Sequence, residues 1–354
     1  MRVVYNSFNG RYSDSPRAVH EAVLARGDAH ESTWLVDPAH AATFPAGTPT
    51  VPIYTPTAVA ALEAADLVVS NSHLEMDWVK ADGATYVQTW HGTPVKRIHA
   101  DAIGGPPGLL EHLSEDVDRW DVLLSPNPYS TATMRRAFRW TGEVLETGYP
   151  RNDVLLDARS AGVRQRMRRE LGVEDGRTAV LYTPTWRDDA FWAEGAAAAD
   201  LALDVDRFAA ELGDDHVLLL RLHYKLTGLL AAVDHPSVVD VSAHPDVAEL
   251  YLAADVMVTD YSSTMFDFAV TGKPLVFFTY DIDRYSRELR GFYFDLSEDP
   301  PGPLVATTEQ LVDRIRQLPE VTEAHRPGYA RFRQRFCCLD DGAATGRFLE
   351  RFFG

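Results

Sequence analysis

Two histidines stand where imidazole chemistry would have a use. His91 follows Trp90 and precedes Gly92-Thr93-Pro94-Val95-Lys96, so Gly and Pro fix a tight loop around it and Lys96 stands nearby for an anion. An imidazole, with an ordinary pKa of about 6.5, can take a proton from an attacking hydroxyl. The same ring could instead be structural, donating to backbone. His223 lies in Arg221-Leu222-His223-Tyr224-Lys225. Imidazolium between two cations is disfavoured unless an anion is present, which suggests a phosphate-facing site. Arg187, just past Thr183-Pro184-Thr185, is a candidate for bidentate phosphate contact.

The segment Asp260-Tyr-Ser-Ser-Thr-Met-Phe-Asp267 carries a mechanism of its own. An apolar strand ends at Asp260, and Ser262, Ser263 and Thr264 then open a helix that stops near Gly272. Exposed N–H groups and the positive end of the helix dipole favour phosphate there. The serines could equally do no more than cap the helix. Asp267, further along, is placed either to accept from ribose hydroxyls or to sit in solvent.

Elements able to position these groups are legible as short apolar runs. Strand candidates are Val3–Tyr5, Thr33–Val36, Leu67–Ser70, Tyr86–Thr89, Val122–Leu124 and Val144–Leu145 in the first half. In the second half they are Ala179–Tyr182, Val217–Leu222, Val238–Val241, Val256–Thr259 and Leu275–Thr279. Continuous rather than alternating runs, separated by helix-length segments, predict parallel strands covered on both faces. The expected fold class is therefore α/β, with two doubly wound parallel-sheet domains. Residues 1–160 and 171–335 are the two expected domains, with a polar, Arg-rich helix over 159–170 near their boundary. The amphipathic tail, 340–354, is expected to pack back on the first domain.

Ligands of open α/β sheets bind at the carboxyl ends of the strands. In the first half those ends carry Ser70-Asn71-Ser72-His73, the His91 loop, Ser125-Pro126-Asn127-Pro128 and Thr147-Gly-Tyr-Pro-Arg151-Asn-Asp153. In the second half they carry Thr185, Arg187, Arg221, His223, Lys225 and the Asp260 segment. Facing edges would make one interdomain site with a local positive field from Lys96, Arg187, Arg221 and Lys225.

Composition removes several classes. The chain has 354 residues, 34 basic and 52 acidic side chains, and a net charge of −18. Its pI near 5.0 disfavours nucleic acid as a bulk partner and non-specific adhesion to an anionic membrane. Two adjacent cysteines, Cys337 and Cys338, offer neither a disulfide framework nor a thiolate zinc site. Met1–Tyr5 lacks the apolar stretch of a signal peptide, and no apolar run is long enough to span a bilayer, so a soluble cytoplasmic protein is expected. No dinucleotide fingerprint, P-loop, nucleophile elbow or metal motif stands out, so neither a fixed cofactor nor a divalent metal is predicted. Only Lys80, Lys96, Lys225 and Lys273 interrupt an arginine-biased set of cations. Arg135–Arg139 and Arg164–Arg169 are basic patches, read as solvated helix faces or as docking sites.

Taken in order, Trp90-His-Gly-Thr-Pro-Val-Lys96, Thr147-Gly-Tyr-Pro-Arg-Asn-Asp153, Tyr182-Thr-Pro-Thr-Trp-Arg187, Arg221-Leu-His223 and Thr259-Asp-Tyr-Ser-Ser263 resemble the CDP-glycerol glycerophosphotransferase family of teichoic acid primases and polymerases. Asn9-Gly-Arg-Tyr-Ser-Asp-Ser-Pro16, Gly272-Lys-Pro-Leu275 and Arg290-Gly-Phe-Tyr293 extend the resemblance over nearly the whole chain. It implies a GT-B fold, two Rossmann-like domains facing an interdomain cleft. It also implies transfer of glycerol phosphate or ribitol phosphate from a CDP-activated donor to a hydroxyl of a lipid-linked or glycan acceptor, with CMP leaving. By the same resemblance His91 is the general base and His223 stabilises charge at the diphosphate. Thr185, Arg187, Lys225, Asp260, Ser262, Ser263, Thr264 and Asp267 would bind the donor. Asn71, Lys96 and Arg151 would support the acceptor side. Lipid-linked acceptors would bring the protein to the inner face of a bacterial cell membrane. Two other readings fit the residues: a GT-B glycosyltransferase using a nucleotide sugar, and a non-catalytic nucleotide-binding scaffold.

Overall fold

A computed structural model of the chain describes residues 1–27, 29–102, 108–185, 201–222, 235–285 and 291–354. It divides into two compact units. The first comprises Met1–Pro94, Ile98–Val154 and Cys338–Gly354; the second comprises Val95–Arg97 and Leu155–Cys337.

The first unit is built on a parallel sheet with the order β3-β2-β1-β4-β5-β6-β7. Its strands are β1 (Arg2–Asn6), β2 (Glu31–Val36), β3 (Thr50–Pro52), β4 (Leu67–Ser70), β5 (Thr85–Gln88), β6 (Val122–Ser125) and β7 (Glu143–Glu146). Successive residues of a strand point to opposite faces, so a run apolar at every position can feed two cores. Val3, Tyr5, Leu67, Val69 and Val87 lie in one apolar cluster with Trp34, Phe348 and Phe353, while Val4, Val68, Tyr86 and Leu123 lie in another. The helix Ala344–Phe353 supplies Phe348, Leu349 and Phe353 to the first cluster, beside Val19 and Val23 of the helix Asp14–Arg26.

The second unit's sheet is also parallel, with the order β10-β9-β8-β11-β12-β13. These strands are β8 (Thr178–Thr183), β9 (His216–Leu220), β10 (Val238–Asp240), β11 (Val256–Thr259), β12 (Leu275–Phe278) and β13 (Leu304–Val305). Val180, Tyr182, Leu218, Leu220, Val256, Val258, Val276 and Phe278 carry one core, closed by Phe208, Leu212, Leu311 and Ile315 from helices. The edge strands β3 and β13, three and two residues long, are absent from the sequence reading. Each sets only one or two apolar residues beside prolines, whereas the equally short β10 opens on Val238-Val239.

The Arg-rich helix Ser160–Glu170 belongs to the second unit rather than ending the first. Arg164 donates to the carbonyls of Leu252, Ala253 and Ala254, and both Arg164 and Arg168 pair with Asp255. Lys273 Nζ donates to the carbonyls of Tyr251, Leu252 and Ala254. Three cations therefore collect the last carbonyls of the helix Val247–Ala253, where its dipole is negative. Within the patch Arg164–Arg169, Arg164 and Arg168 thus form a clamp, while Arg166 and Arg169 stay on the exposed face. Among the described residues no helix is long and apolar enough to cross a membrane.

In each sheet the strand order reverses once, at β1/β4 and at β8/β11. Loops leaving adjacent strands there part in opposite directions and open a crevice.

Candidate functional site

At the β1/β4 crevice the backbone is bent hard. Phe8, Asn9 and Asp14 have φ of 43°, 57° and 62°, and Gly10 has φ of 109°. A Cβ on Gly10 would lie 2.1 Å from the Asp37 backbone nitrogen, so only glycine fits. Non-glycine residues held at positive φ cluster at functional sites when their surroundings over-determine them. The surroundings here do so with hydrogen bonds. Asn6 Nδ2 donates to Ser70 Oγ at 2.9 Å and Ser72 Oγ at 3.2 Å, and Phe8 N donates to Asn71 Oδ1 at 2.8 Å.

His91 arrives from the end of the neighbouring strand β5. Trp90 takes a φ of 54°, and its N–H donates to Gln88 Oε1 at 2.9 Å. The indole stacks on the His91 ring at 4.3 Å and 28°, and Phe8 packs against the imidazole at 5.3 Å. His91 Nδ1 lies 2.6 Å from the carbonyl oxygen of Asn71. A carbonyl only accepts, so Nδ1 carries the proton and Nε2 keeps the lone pair. Loss of water around the partly buried ring pushes its pKa below the ordinary value. The Asn71 carbonyl and Asp14 pull it back up, while Arg151 and His73 push it further down. The net direction keeps the ring neutral, ready to accept a proton.

Thr147–Asp153 acts as a joint in the same unit. Gly148 has φ of 78° and runs against the Leu339 carbonyl, which a Cβ would approach to 2.7 Å. The Tyr149 hydroxyl accepts from Gly92 N at 3.1 Å, tying the joint to the His91 loop. Arg151 pairs with Asp14 at 2.8 Å, their side chains only 6% and 7% exposed, and its guanidinium lies 4.3 Å over the Tyr149 ring. Asp153 accepts from the backbone of Ala344 and Thr345, capping the C-terminal helix.

At the β8/β11 crevice Asp260 is the organiser. It is buried, and both its oxygens accept from Thr185 N, at 2.9 and 3.0 Å, while Oδ1 also takes Tyr261 N. Thr183 Oγ1 lies 3.2 Å from Thr264 Oγ1, which donates to Ser262 Oγ at 3.0 Å. Ser263, first residue before the helix Thr264–Val270, makes no side-chain cap bond. The helix is thus not capped by that serine, one of the two roles open to it from sequence. Tyr261 reaches Asp281 through its hydroxyl at 3.2 Å and stacks on Tyr285 at 4.6 Å. Asp267 is buried in the first turn of the helix, rather than sitting in solvent.

The structure brings His91, Asn71 and Arg151 together in the first unit, and Thr185, Asp260, Ser262, Ser263 and Thr264 in the second. Arg187, His223 and Lys225 lie outside the described residues. Two expectations change. Arg221 donates to the carbonyls of Val241 and His244, so its guanidinium is fixed at the end of β10 with its charge intact. Lys96 belongs with the second unit: it bridges Phe292 in antiparallel fashion, with Arg97 N on Gly291 O and Tyr293 N on Val95 O. Asp14 is a site residue that reading from strand ends missed. Its signal is Ser13-Asp14-Ser15-Pro16, a helix start in which the acid sits at the positive dipole end.

The sequence model of the CDP-glycerol:poly(glycerophosphate) glycerophosphotransferase family matches residues 1–354. A teichoic acid glycerol-phosphate transferase of Staphylococcus aureus is 36% identical over 366 residues, covering 99% of this chain and 92% of that protein. A teichoic acid poly(glycerol phosphate) polymerase of Staphylococcus epidermidis is 37% identical over 97% of this chain but only 49% of the polymerase, so the chain spans about half the length of that relative. The solved structure of the wall teichoic acid polymerase TagF matches at a TM-score of 0.91 and 36% identity, covering 99% of this chain and 88% of that one. The two parallel-sheet α/β units are accordingly of the GT-B fold class.

Proposed function

Because the chain belongs to the CDP-glycerol:poly(glycerophosphate) glycerophosphotransferase family, we propose that it moves a polyol phosphate from a CDP-activated donor to a hydroxyl of a teichoic-acid-type acceptor. Glycerol phosphate is the first candidate and ribitol phosphate the second; the acceptor is a polyol phosphate or lipid-linked glycan. The acceptor oxygen forms a bond to the phosphorus that bears the polyol. The bond from that phosphorus to the bridging oxygen breaks, and CMP leaves with the electron pair. The hydroxyl proton passes to His91 Nε2. The observation that carries this reading is the short bond from Nδ1 to the Asn71 carbonyl, which leaves Nε2 free to act as base. His223 stabilises the charge gathering on departing CMP.

Phosphoryl transfer asks mainly for positioning and charge stabilisation. Thr185, Ser262, Ser263 and Thr264 hold the donor phosphates on the loop that Asp260 organises, with Arg187 and Lys225 completing the set. Asp267 takes the donor ribose, Asn71 and Arg151 support the loops around the acceptor, and Lys96 goes with the donor-side unit. The reaction runs without a fixed cofactor or divalent metal, in the cytoplasm and against acceptors carried on the inner membrane face.

The test incubates the protein and a polyol-phosphate acceptor with CDP-glycerol, CDP-ribitol or a panel of nucleotide sugars, with and without chelator. CMP release with a matching mass gain on the acceptor, undiminished by chelator, is the expected result. Release of UDP or GDP without CMP would overturn the proposal in favour of sugar transfer. His91→Ala is expected to fold normally and lose most turnover; a wild-type rate would remove His91 from the mechanism.

A further inference from the structure

Behind His91 lies a second imidazole that the reaction scheme does not use. Asn71, whose carbonyl orients His91, and His73 belong to the same short loop after β4. Ser70 Oγ donates to the Ser72 carbonyl at 2.7 Å, and Gln88 Nε2 donates to it at 3.2 Å, so the segment between them is held. At its far end His73 Nδ1 lies 3.2 Å from Asp116 Oδ2. That oxygen also accepts from Trp120 Nε1 at 2.9 Å and from the Tyr86 hydroxyl at 3.4 Å. Asp116 is 2% exposed on the helix Leu109–Val117, and Arg119, 4.0 Å from its other oxygen, is its nearby cation. Such a carboxylate is an expensive group to bury unless it fixes something.

What it fixes is a pile of rings. His73 stacks on Trp120 at 5.5 Å and 23° and on His99 at 5.7 Å and 26°, and it meets Trp90 at 5.7 Å and 75°. Trp90 is wedged against Phe138 at 4.7 Å on one side and lies on His91 on the other. His73 therefore touches both supports of His91: the loop that supplies the Asn71 carbonyl, and the indole on which the imidazole rests. A carboxylate held to one ring nitrogen fixes that ring's tautomer and orientation.

We propose that His73, anchored by Asp116, is a positioning residue that sets the tautomer and placement of His91 through the 70–74 loop and Trp90. The inference rests on His91 being the base of the proposed reaction, but its structural half needs no substrate. A misplacement of about 1 Å in such a base can cost about 100-fold in rate.

The test compares His73→Phe, which keeps the ring stack and drops the bond to Asp116, with His73→Asn, whose amide can restore a donor near Nδ1. Ring nitrogens are followed by NMR in histidine-labelled protein, with His91 identified from the spectrum of His91→Gln. Kinetics of CMP release from CDP-glycerol run in parallel, and thermal unfolding checks folding. His73→Phe is expected to lower kcat about 10- to 100-fold with the donor KM within about 2-fold, and to mix the two His91 tautomers. His73→Asn is expected to recover most of both. Unchanged His91 ring signals in folded His73→Phe would overturn the proposal, as would an equal loss that His73→Asn does not repair. Should His73→Phe fail to fold, Asp116→Asn is read by the same signals, and an unaltered His91 tautomer there refutes the anchoring. If wild-type protein releases no CMP, the proposed function fails, while the ring signals still decide the positioning role.

Discussion

The Arg151–Asp14 pair offers the sharpest quantitative test of the first unit's site. At 2.8 Å, with both side chains under a tenth exposed, it is a buried ion pair, and removing one partner of such a pair costs about 3–5 kcal/mol. Arg151→Met leaves the Asp14 carboxylate two consolations. It keeps the Ser15 N–H at 2.6 Å and the positive end of the helix Asp14–Arg26, the latter worth up to about 1 kcal/mol, so a loss of about 2–4 kcal/mol is expected. Asp14→Asn keeps a side chain that tolerates the φ of 62° and leaves Arg151 over the Tyr149 ring, so a similar loss follows. The double variant should cost less than the two single losses combined by at least about 1.5 kcal/mol. The two substitutions also push His91 in opposite directions. Asp14 raises the pKa of His91 and Arg151 lowers it, so Asp14→Asn lowers its titration while Arg151→Met raises it. Urea unfolding of the four proteins gives the energies, and the His91 ring titration gives the electrostatics. Single losses below about 1 kcal/mol, additive losses in the double variant, or shifts of the same sign at His91 would each refute the reasoning.

Asp260→Asn replaces one of two oxygens facing Thr185 N, and is expected to raise the KM for CDP-glycerol about 10-fold while leaving the His91 titration unchanged. An unchanged KM would detach Asp260 from donor binding. His20 is buried beside Tyr5, Tyr12 and Trp34, and loss of water lowers its pKa from 6.5 to about 4. Because the folded value lies below the unfolded one, the stability linked to it is whole above about pH 6.5 and is lost as pH falls towards about 4, by about 3 kcal/mol. His20→Phe should therefore narrow the difference in unfolding free energy between pH 7.5 and pH 4.5, and an unaltered difference would contradict the assignment. Lys273→Met strips a donor from three helix-end carbonyls and should cost about 2–4 kcal/mol in urea unfolding without changing the donor KM; a loss confined to KM would move Lys273 into the site.

Much of this is legible from sequence, for identifiable reasons. Leu67–Ser70 and Val256–Thr259 announce themselves because a strand buried on both faces reads as a continuous apolar run up to its polar last residue. Thr50–Pro52 and Leu304–Val305 do not, because each sets only one or two apolar residues directly beside prolines, unlike the equally short Val238–Asp240. Asn71, His91, Asp260 and Thr264 are picked out as candidates by the rule that ligands bind beyond the carboxyl ends of strands. The rule is silent on partners distant in sequence, so it misses Asp14, which meets Arg151 across 137 positions. It also overreads cations. Arg221 is read as part of a positive field at the site, yet the carbonyls of Val241 and His244 hold its guanidinium. A basic side chain near an anion site and one closing a helix dipole look alike in one dimension, since both roles ask for a long donor beside a glycine-bounded turn.

The return of residues 338–354 to the first unit has a consequence for the order in which the protein is made. The second unit draws almost all its residues from one continuous stretch, Leu155–Cys337, and can assemble as soon as that stretch has emerged. The first unit cannot finish then, although most of it was synthesised earlier. Phe348, Leu349 and Phe353, which close its core beside Val19, arrive only after the second unit's stretch, together with the backbone that Asp153 caps. Domains usually fold in the order of synthesis. Here the half that bears His91 waits, its β1, β4 and β5 face only partly covered, until residues 338–354 have emerged.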